Sequence, residues 1–173
     1  STRLPGKILI EVLGKTLLEY HIERLQRSRL ADVVVVATTT NESDQVIVNT
    51  ALKNDAHVVR GPEHDVLERY YIAARDVSAD ILVRVTSDCP LIDPQVIDQT
   101  INHYIERMPD IDYVSNWLVP SFPLGINVEV LPFKLLEKAF HEATDPAERE
   151  HVTPFLWRHP ERFRLSNFAY HRN

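Results

Sequence analysis

The sequence predicts an α/β protein with a Rossmann-like, mostly parallel sheet and helices on both faces. Two observations support this fold class. Apolar runs of strand length alternate with longer segments whose apolar residues recur at helical spacing. Polar residues with turn chemistry follow several of the runs, as they do where strands lead into helices. With 173 residues, 44% of them hydrophobic, the chain can bury one sizeable core, so we expect a single domain over residues 1–173.

The first half predicts helices and strands in regular alternation. Two amphipathic helices and two apolar strands come first, and Asp65 then caps a third helix, with Glu68 three residues later as its capping-box partner. The first helix places Leu17, Leu18, His21, Ile22 and Leu25 on one face, residues 33–37 form a buried strand, Val46, Ile47, Thr50 and Ala51 mark the second helix, and residues 57–59 form a short strand.

The segment around Asp88 is the most informative part of the chain. Residues 81–85 are typical of a fully buried strand. Asp93 followed by Pro94 has the chemistry of an N-cap and a first helical residue, which predicts a helix over 94–106. Asp88 therefore lies just beyond the carboxyl end of a strand, the edge where open α/β sheets bind ligands. A loop aspartate that only accepts bonds from nearby amides is the alternative interpretation.

The second half predicts shorter elements. Residues 113–115 and 126–130 form strands on either side of a proline-rich turn, the second strand with one polar face, and Pro132 opens a helix that extends to about residue 142. Residues 164–169 form a last strand. Four polar residues lie on elements that also carry core residues, so they favour a structural network and substrate contact about equally: Glu129, Arg149, Glu150 and His151.

The first seven residues have the chemistry of a phosphate cradle. Ser1 to Lys7 combine two cations, two hydroxyl groups, a glycine and a proline, so amides and hydroxyls can donate while Arg3 and Lys7 neutralise charge. The loop lacks the spacing of a Walker motif. A solvated basic tail is the alternative. Anionic phosphates on one side and a metal-binding carboxylate on the other are what nucleotidyl transfer requires.

Five ordered blocks resemble one family. They are residues 1–7, 14–20, 65–70, 86–94 and 149–153. The chain resembles the cytidylyltransferases of the spore coat polysaccharide biosynthesis protein F and CMP-KDO synthetase-like family. The resemblance implies the nucleotide-diphospho-sugar transferase fold, CTP and a sugar or sugar-acid acceptor as substrates, Mg²⁺ (Mg2+) as cofactor, release of pyrophosphate, and a homodimer.

The resemblance and the strand-end positions together assign site roles. Asp88 is the expected metal ligand, and the expected catalytic residues are Asp88, Arg3 and Lys7. The expected nucleotide-binding residues are Ser1, Arg3, Lys7, Arg60, Thr86 and Ser87. Glu129, Arg149, Glu150 and His151 are expected to bind the acceptor, whose identity the sequence does not give.

Three features depart from the family pattern. The phosphate loop begins at Ser1 without a preceding strand, and the sequence reaches Asn173 before the family's last strand and second metal-binding aspartate. Asn127 stands where the family has an aspartate, which weakens any cation site there. We expect a domain truncated at both ends, whose sheet lacks its first strand and its C-terminal end. Residues 1–173 alone should either be inactive or fill the gap with another segment or subunit.

Composition indicates which classes of partner and which cellular compartment to expect. A formal charge of -6 argues against polymeric nucleic acid, whose binders carry basic faces. Cys89 is the single cysteine, so no internal disulfide forms and a reducing cytoplasm is expected. A nucleophilic role for Cys89 is disfavoured because no base lies near it in sequence. No apolar run is long enough for a membrane span, and no signal peptide is evident.

Two other functions suit the same fold. A glycosyltransferase would hold a nucleotide diphosphate through a metal-binding Asp-X-Asp motif, and the one such spacing is Asp110-Ile111-Asp112. It lies well after the strand that leads to Asp88, which ranks this function second. A non-catalytic binding or assembly domain that kept the scaffold is the other alternative.

Overall fold

The computed structural model describes residues 4 and 6–170 of the chain. The strands are β1 (Glu11–Val12), β2 (Lys15–Thr16), β3 (Val35–Thr39), β4 (His57–Gly61), β5 (Ile81–Arg84), β6 (Tyr113–Ser115), β7 (Glu129–Pro132) and β8 (Leu165–Asn167). The α-helices are α1 (Leu17–Leu25), α2 (Gln45–Lys53), α3 (Val66–Asp76), α4 (Pro94–Ile105), α5 (Phe133–Glu142), α6 (Pro146–His151) and α7 (Pro154–Trp157). Short 3-10 helices cover Lys7–Leu9 and Glu42–Asp44.

Strand pairing is mixed, which corrects the prediction of a mostly parallel sheet. Strands β3 and β4 pair in parallel, and β1 and β2 form a small antiparallel ladder. A four-stranded sheet has the order β5-β7-β6-β8, in which β7 runs antiparallel to both neighbours and β8 runs parallel to β6. Antiparallel neighbours need no crossover helix. The helix-free loop between β6 and β7 therefore suffices to connect them.

Helices cover both faces of the four-stranded sheet, as predicted. Tyr113 and Leu131 pack with α3, α5 and α7 on one face. Their neighbours Val114 and Val130 pack with α4 on the other face. Successive side chains of a strand point to opposite faces, so β6 and β7 contribute to two separate core clusters. A third cluster joins α1 and α2.

Helix caps explain where two of the helices begin. Thr16 and Glu19 form a complete capping box at α1: the Thr16 hydroxyl accepts from the Glu19 amide at 3.1 Å, and the Glu19 carboxylate accepts from the Thr16 amide at 2.7 Å. Asp93 accepts from the Gln95 amide at 2.9 Å, with Pro94 as first helical residue. The predicted start of α4 is confirmed.

The predicted capping box at α3 is only half formed. Asp65 accepts from the Glu68 amide at 2.8 Å, but Glu68 does not return a bond to the N-cap amide. The second carboxylate oxygen of Asp65 accepts instead from Arg149, 84 residues away in sequence. The Asp65 carboxylate therefore both caps α3 and forms a tertiary ion pair with α6.

Strand β7 begins three residues later than predicted and is buried at every position. The Asn116 side chain donates to the Ile126 carbonyl and accepts from the Val128 amide, both at 2.8 Å. A side chain therefore satisfies backbone groups that a strand partner would otherwise bond. Strands β5 and β6 cover the two edges of β7, and the helices cover its two faces. The predicted polar face at Glu129 is accordingly buried.

Strands β3 and β5 face each other across a cavity of about 470 Å³, which we call the slot. Residues 33–39 line one side and residues 81–87 the other, and side chains of α1 and α3 close its two faces. Consecutive residues line both sides, so the slot exposes the backbone edges of the two strands. Strand β5 is consequently half-buried, not fully buried as predicted. That a strand fills this gap stays a prediction.

Candidate active site

Asp88 lies in the loop that follows the carboxyl end of β5. Its Oδ2 atom is 2.5 Å from Nζ of Lys7, and the two side chains are 40% and 30% exposed. The hydrogen bond from Lys7 lowers the pKa of Asp88 below its usual value, and hydrogen bonding from Thr86 lowers it further. Asp88 is therefore an accessible, ionised carboxylate that is paired with Lys7.

Gly6 positions Lys7. The glycine has a φ of +68°, in the left-handed region that favours residues without a Cβ. Its carbonyl accepts from the Leu9 amide at 2.8 Å, which starts the 3-10 helix Lys7–Leu9. The loop that the sequence predicts as a phosphate cradle thus meets the predicted metal ligand. Ser1 and Arg3, the other predicted residues of this loop, lie outside the described residues.

Thr86 and Ser87 lie beside Asp88 at one end of the slot. The Thr86 hydroxyl is 3.3 Å from the Cys89 sulfur. Burial raises the pKa of the Cys89 thiol, so the thiol is protonated at neutral pH. A protonated thiol is a poor nucleophile, which agrees with the expectation that Cys89 is not a nucleophile.

Two side chains of helix α1 bond the Asp88 loop. The ring nitrogen Nδ1 of His21 is 2.8 Å from the Cys89 carbonyl oxygen, and Arg24 donates to the Ile92 carbonyl. Burial lowers the pKa of His21, so its ring is neutral at neutral pH. Since a carbonyl only accepts, Nδ1 carries the proton and donates it. The sequence pattern places His21 on the core face of the first helix and does not indicate a role in the site.

Glu129 lies in a buried network with Arg84, the residue four positions before Asp88. Its carboxylate pairs with Arg84 of β5, and Tyr113 and Thr153 both donate to its other oxygen. The side chains of Glu129 and Arg84 are only 11% and 15% exposed. Burial raises the pKa of the Tyr113 hydroxyl, which keeps its proton and donates. Both oxygens of Glu129 therefore already have donors inside the protein.

Arg60 braces the loop that follows β3. It donates to the carbonyl oxygens of Thr39 and Asn41 at 2.8 Å and 2.7 Å, and to the Gln45 side chain at 3.1 Å. These contacts fix the carboxyl end of β3, across the slot from Thr86. Arg60 is thus near the edge where the sequence predicts nucleotide binding, with its guanidinium engaged in the loop.

The three predicted acceptor residues on α6 are in different environments. Arg149 donates to Asp65 and to the Phe140 carbonyl, so it connects α6 to the start of α3 and not to the Asp88 loop. Glu150 and His151 are exposed at the end of the helix. A substrate could therefore reach both side chains.

Val152 makes a tight turn directly after His151. Its φ of +73° is strained for a β-branched residue, and the Thr153 amide donates to the His151 carbonyl at 2.9 Å across it. The turn lets His151 remain exposed while Thr153 reaches the buried Glu129. No sequence signal indicates it, because valine seldom adopts this conformation.

The donor set suits Mg²⁺ only in part. In the described part of the chain, no group of three or more His, Cys, Asp and Glu side chains could hold a metal ion. Mg²⁺ commonly takes one or two protein carboxylates and completes its shell with waters and substrate phosphates. Asp88, ionised and already facing a cation, fits that mode as the protein's contribution. Asn127, where the family pattern has an aspartate, has a buried side-chain oxygen with no hydrogen-bond donor among the described residues.

The Asp-X-Asp segment considered for a glycosyltransferase is engaged elsewhere. Asp112 accepts from the Arg164 backbone amide at 2.9 Å and from its guanidinium at 2.8 Å and 3.0 Å. It therefore connects the approach to β6 with the approach to β8. In the residues that the structure describes, no helix has the length and apolar character needed to cross a membrane.

An α/β fold with a carboxylate at a strand end, facing a lysine from a glycine-containing loop, is typical of a nucleotidyltransferase. A family model described as Cytidylyltransferase matches residues 1–173. The chain belongs to the cytidylyltransferase family, which confirms the resemblance seen in the sequence. Cytidylyltransferases are nucleotidyltransferase enzymes, so the predicted enzyme class is also confirmed.

Three curated relatives support the family. The uncharacterized protein MJ1063 of Methanocaldococcus jannaschii is 37% identical over 165 residues, which are 95% of this chain and 66% of that protein. The spore coat polysaccharide biosynthesis protein SpsF of Bacillus subtilis is 32% identical over 170 residues, 95% of this chain and 69% of that protein. A 3-deoxy-manno-octulosonate cytidylyltransferase of Anaeromyxobacter dehalogenans is 35% identical over 103 residues, 58% of this chain and 41% of that protein. The chain thus spans about two thirds or less of these relatives.

Solved structures agree on the fold. A cytidylyltransferase from Leptospira borgpetersenii serovar Hardjo-bovis superposes with a TM-score of 0.95 at 35% identity, over 99% of this chain and 72% of that chain. A CMP:2-keto-3-deoxy-manno-octonic acid synthetase complexed with CTP has a TM-score of 0.71 over 98% of this chain and 86% of that chain. Its 16% identity supports the fold alone.

Proposed function

We propose that this protein transfers CMP from CTP to a sugar or sugar acid and releases pyrophosphate, in the synthesis of surface polysaccharide precursors. The observation that carries the proposal is the pair of Asp88 and Lys7 at the carboxyl end of β5. The names of two relatives, a spore coat polysaccharide biosynthesis protein and a 3-deoxy-manno-octulosonate cytidylyltransferase, support the substrate classes.

The reaction is a substitution at the α-phosphorus of CTP. A bond forms between the acceptor oxygen and the α-phosphorus, while the bond from that phosphorus to the oxygen bridging to the β-phosphorus breaks. Pyrophosphate takes the electron pair, and the acceptor hydroxyl loses its proton to solvent. Such catalysis consists mainly of positioning and electrostatic stabilisation, so no protein nucleophile is needed.

Lys7 and Asp88 are proposed to have different electrostatic roles in this reaction. In the proposal, Lys7 donates to β- and γ-phosphate oxygens and stabilises pyrophosphate as it leaves, and Arg3 has the same role. Asp88 would hold Mg²⁺, which when bound offsets negative charge on the phosphate oxygens. The ionised state of Asp88 at neutral pH supports this role, because a protonated carboxyl group is a poor ligand for a hard cation.

The remaining site residues are proposed to recognise the two substrates. Ser1, Arg60, Thr86 and Ser87 would contact the nucleotide, and the position of Thr86 and Ser87 beside Asp88 supports this. Glu150 and His151 would reach the acceptor from the exposed end of α6. Glu129 and Arg149 would shape the acceptor pocket while they keep their internal partners.

We extend the proposal to a cytoplasmic homodimer. Large apolar side chains are exposed in one region, where the 117–124 loop packs beside residues 167–170, and an interface between two copies would cover them. They are Trp117, Val119, Leu124 and Tyr170. Light scattering of the purified full-length protein measures the mass directly. A monomer at micromolar concentration would contradict the dimer.

The decisive experiment is a pyrophosphate-release assay on the full-length protein. CTP is incubated with a panel of sugar acids and sugar phosphates, with and without Mg²⁺, and D88N serves as the inactive control. We expect release that depends on CTP, on one acceptor class and on Mg²⁺. Calorimetric binding of a UDP-sugar in preference to CTP would point to the glycosyltransferase alternative instead. Binding of CTP without turnover for any acceptor would favour a binding domain.

A further inference from the structure

Among the described residues, the hydrogen bonds that reach the Asp88 loop from distant parts of the sequence come from one short stretch of the chain. Within residues 86–92, the hydrogen bonds Cys89 amide to Thr86 carbonyl and Ile92 amide to Cys89 carbonyl, both 3.1 Å, are local turns. Among the described residues, the polar contacts that reach this loop from distant parts of the sequence come from Lys7, His21 and Arg24. All three belong to the N-terminal segment that ends with α1.

His21 bonds the loop at its central point. The Cys89 carbonyl already closes the turn by accepting from Ile92, and it accepts from His21 as well at 2.8 Å. Cys89 directly follows Asp88, so this carbonyl is one residue from the proposed metal ligand. His21 is only 3% exposed, and its polar ring lies on the face of α1 where Leu18 and Ile22 are packed in the core. A buried polar ring at such a position is costly unless its hydrogen bond is used.

Helix α1 also borders the loop that carries Lys7. The Leu17 amide at the start of α1 donates to the Ile10 carbonyl at 3.0 Å, directly after the 3-10 helix Lys7–Leu9. One rigid element therefore supports both members of the Asp88 and Lys7 pair. Because α1 bonds both the Asp88 loop and the chain just after Lys7, it limits how far the two residues can move apart.

We propose that His21 is a positioning residue, which holds the Asp88 loop on α1 and so keeps the Asp88 carboxylate opposite Lys7. Arg24 supports it by donating to the Ile92 carbonyl at the end of the same loop. The inference rests on the proposed function, because it gives His21 a part in nucleotidyl transfer only through Asp88.

The test replaces the donor while keeping the fold. His21→Leu removes the hydrogen bond at similar volume. His21→Asn restores a donor, because its amide nitrogen is attached to Cγ as Nδ1 is in histidine. Ser28→Ala is the matched control: it removes a 2.5 Å hydrogen bond from the segment just after α1 to Asp98 of α4, away from the Asp88 loop. All variants are made in the full-length protein, together with D88N.

We expect His21→Leu to weaken Mg²⁺ binding in the presence of CTP about tenfold by calorimetry and to lower kcat by a similar factor. Amide exchange in residues 86–92 should become faster. His21→Asn should recover most of both losses, and Ser28→Ala should leave them unchanged. If His21→Leu does not fold, Arg24→Met tests the same loop and should weaken Mg²⁺ binding in the same direction.

Two results would overturn the inference. One is equal loss in His21→Leu and His21→Asn, which would mean that the ring fills space and that its bond is irrelevant. The other is a folded His21→Leu with wild-type Mg²⁺ affinity and loop exchange. If His21→Leu does not fold, the same result in Arg24→Met takes its place. D88N separates this failure from failure of the proposed function. Full turnover in D88N would remove the function, whereas an inactive D88N beside an unaffected His21→Leu would remove only the role of His21.

Discussion

Arg84 at the end of β5 and Asp88 in the loop that follows it each form an ion pair. The two pairs differ in burial and in their other partners. Arg84 pairs with Glu129 in the interior, and two further donors complete that carboxylate. Asp88 pairs at the surface with Lys7, which lies on another loop, distant in sequence. The first pair is satisfied and enclosed. The second is accessible and can exchange its partner.

The difference shows why charge alone does not mark a catalytic residue. Removing one partner of a buried pair leaves an uncompensated charge in a medium of low dielectric constant. An exposed pair contributes less than about 1 kcal/mol to stability, since water and salt screen it. The Arg84 and Glu129 pair should therefore control the stability of the fold, and the Asp88 and Lys7 pair should control binding and turnover.

The largest effect is expected at Asp88. Asp88→Asn keeps the shape of the side chain and removes the charge, so turnover in the pyrophosphate-release assay should fall at least about a hundredfold. The melting temperature should stay within a few degrees of wild type, because the lost pair is exposed. Asp112→Asn is the control, a loop aspartate whose partner is Arg164. Near-normal turnover in Asp88→Asn would remove Asp88 from the mechanism.

The opposite outcome is expected at Glu129. Glu129→Gln keeps the volume and an acceptor oxygen but leaves Arg84 without its counter-charge, so the free energy of unfolding should fall by about 2 kcal/mol. Turnover measured well below the melting temperature should change much less than in Asp88→Asn. Urea denaturation followed by circular dichroism gives the first quantity. Unchanged stability with a large rise in the KM for the acceptor would instead support direct contact between Glu129 and substrate.

A smaller and selective effect is expected at Lys7. Lys7→Ala should weaken CTP binding about tenfold, the scale of one charge-assisted hydrogen bond, and should weaken CMP binding much less, because CMP lacks the outer phosphates. Arg3→Ala should behave alike. Lys15→Ala is the control, an exposed lysine paired with Glu23 outside the site. Equal losses for CTP and CMP in calorimetry would show that the loop does not hold the triphosphate.

The contrast between the two pairs could not have been drawn from the sequence. The position of Asp88 after a strand and before an N-cap predicts its place at the sheet edge, and the structure puts it there, next to Lys7. The environment of Glu129 depends on β7 lying between β5 and β6, a strand order that hydrophobic periodicity does not encode. His21 has the spacing of a core residue, so only its polar ring at that position signals another role. The tertiary bond between Asp65 and Arg149 joins residues 84 apart in sequence, which a local pattern likewise does not encode.

The last prediction concerns the other edge of β5, which faces the slot. A buried backbone group without a partner costs about 1–3 kcal/mol, and a typical domain has only about 5–15 kcal/mol of total stability. A strand between β3 and β5 would bond the strand edges that face the slot and would therefore stabilise the fold. In the full-length protein, we expect the slot-facing amides of both strands to exchange as slowly as those between β5 and β7. Native-state hydrogen exchange measures this residue by residue. Fast exchange on the slot side alone would mean that water, and not a strand from another segment or subunit, satisfies this edge, and the prediction that a strand fills the slot would be wrong.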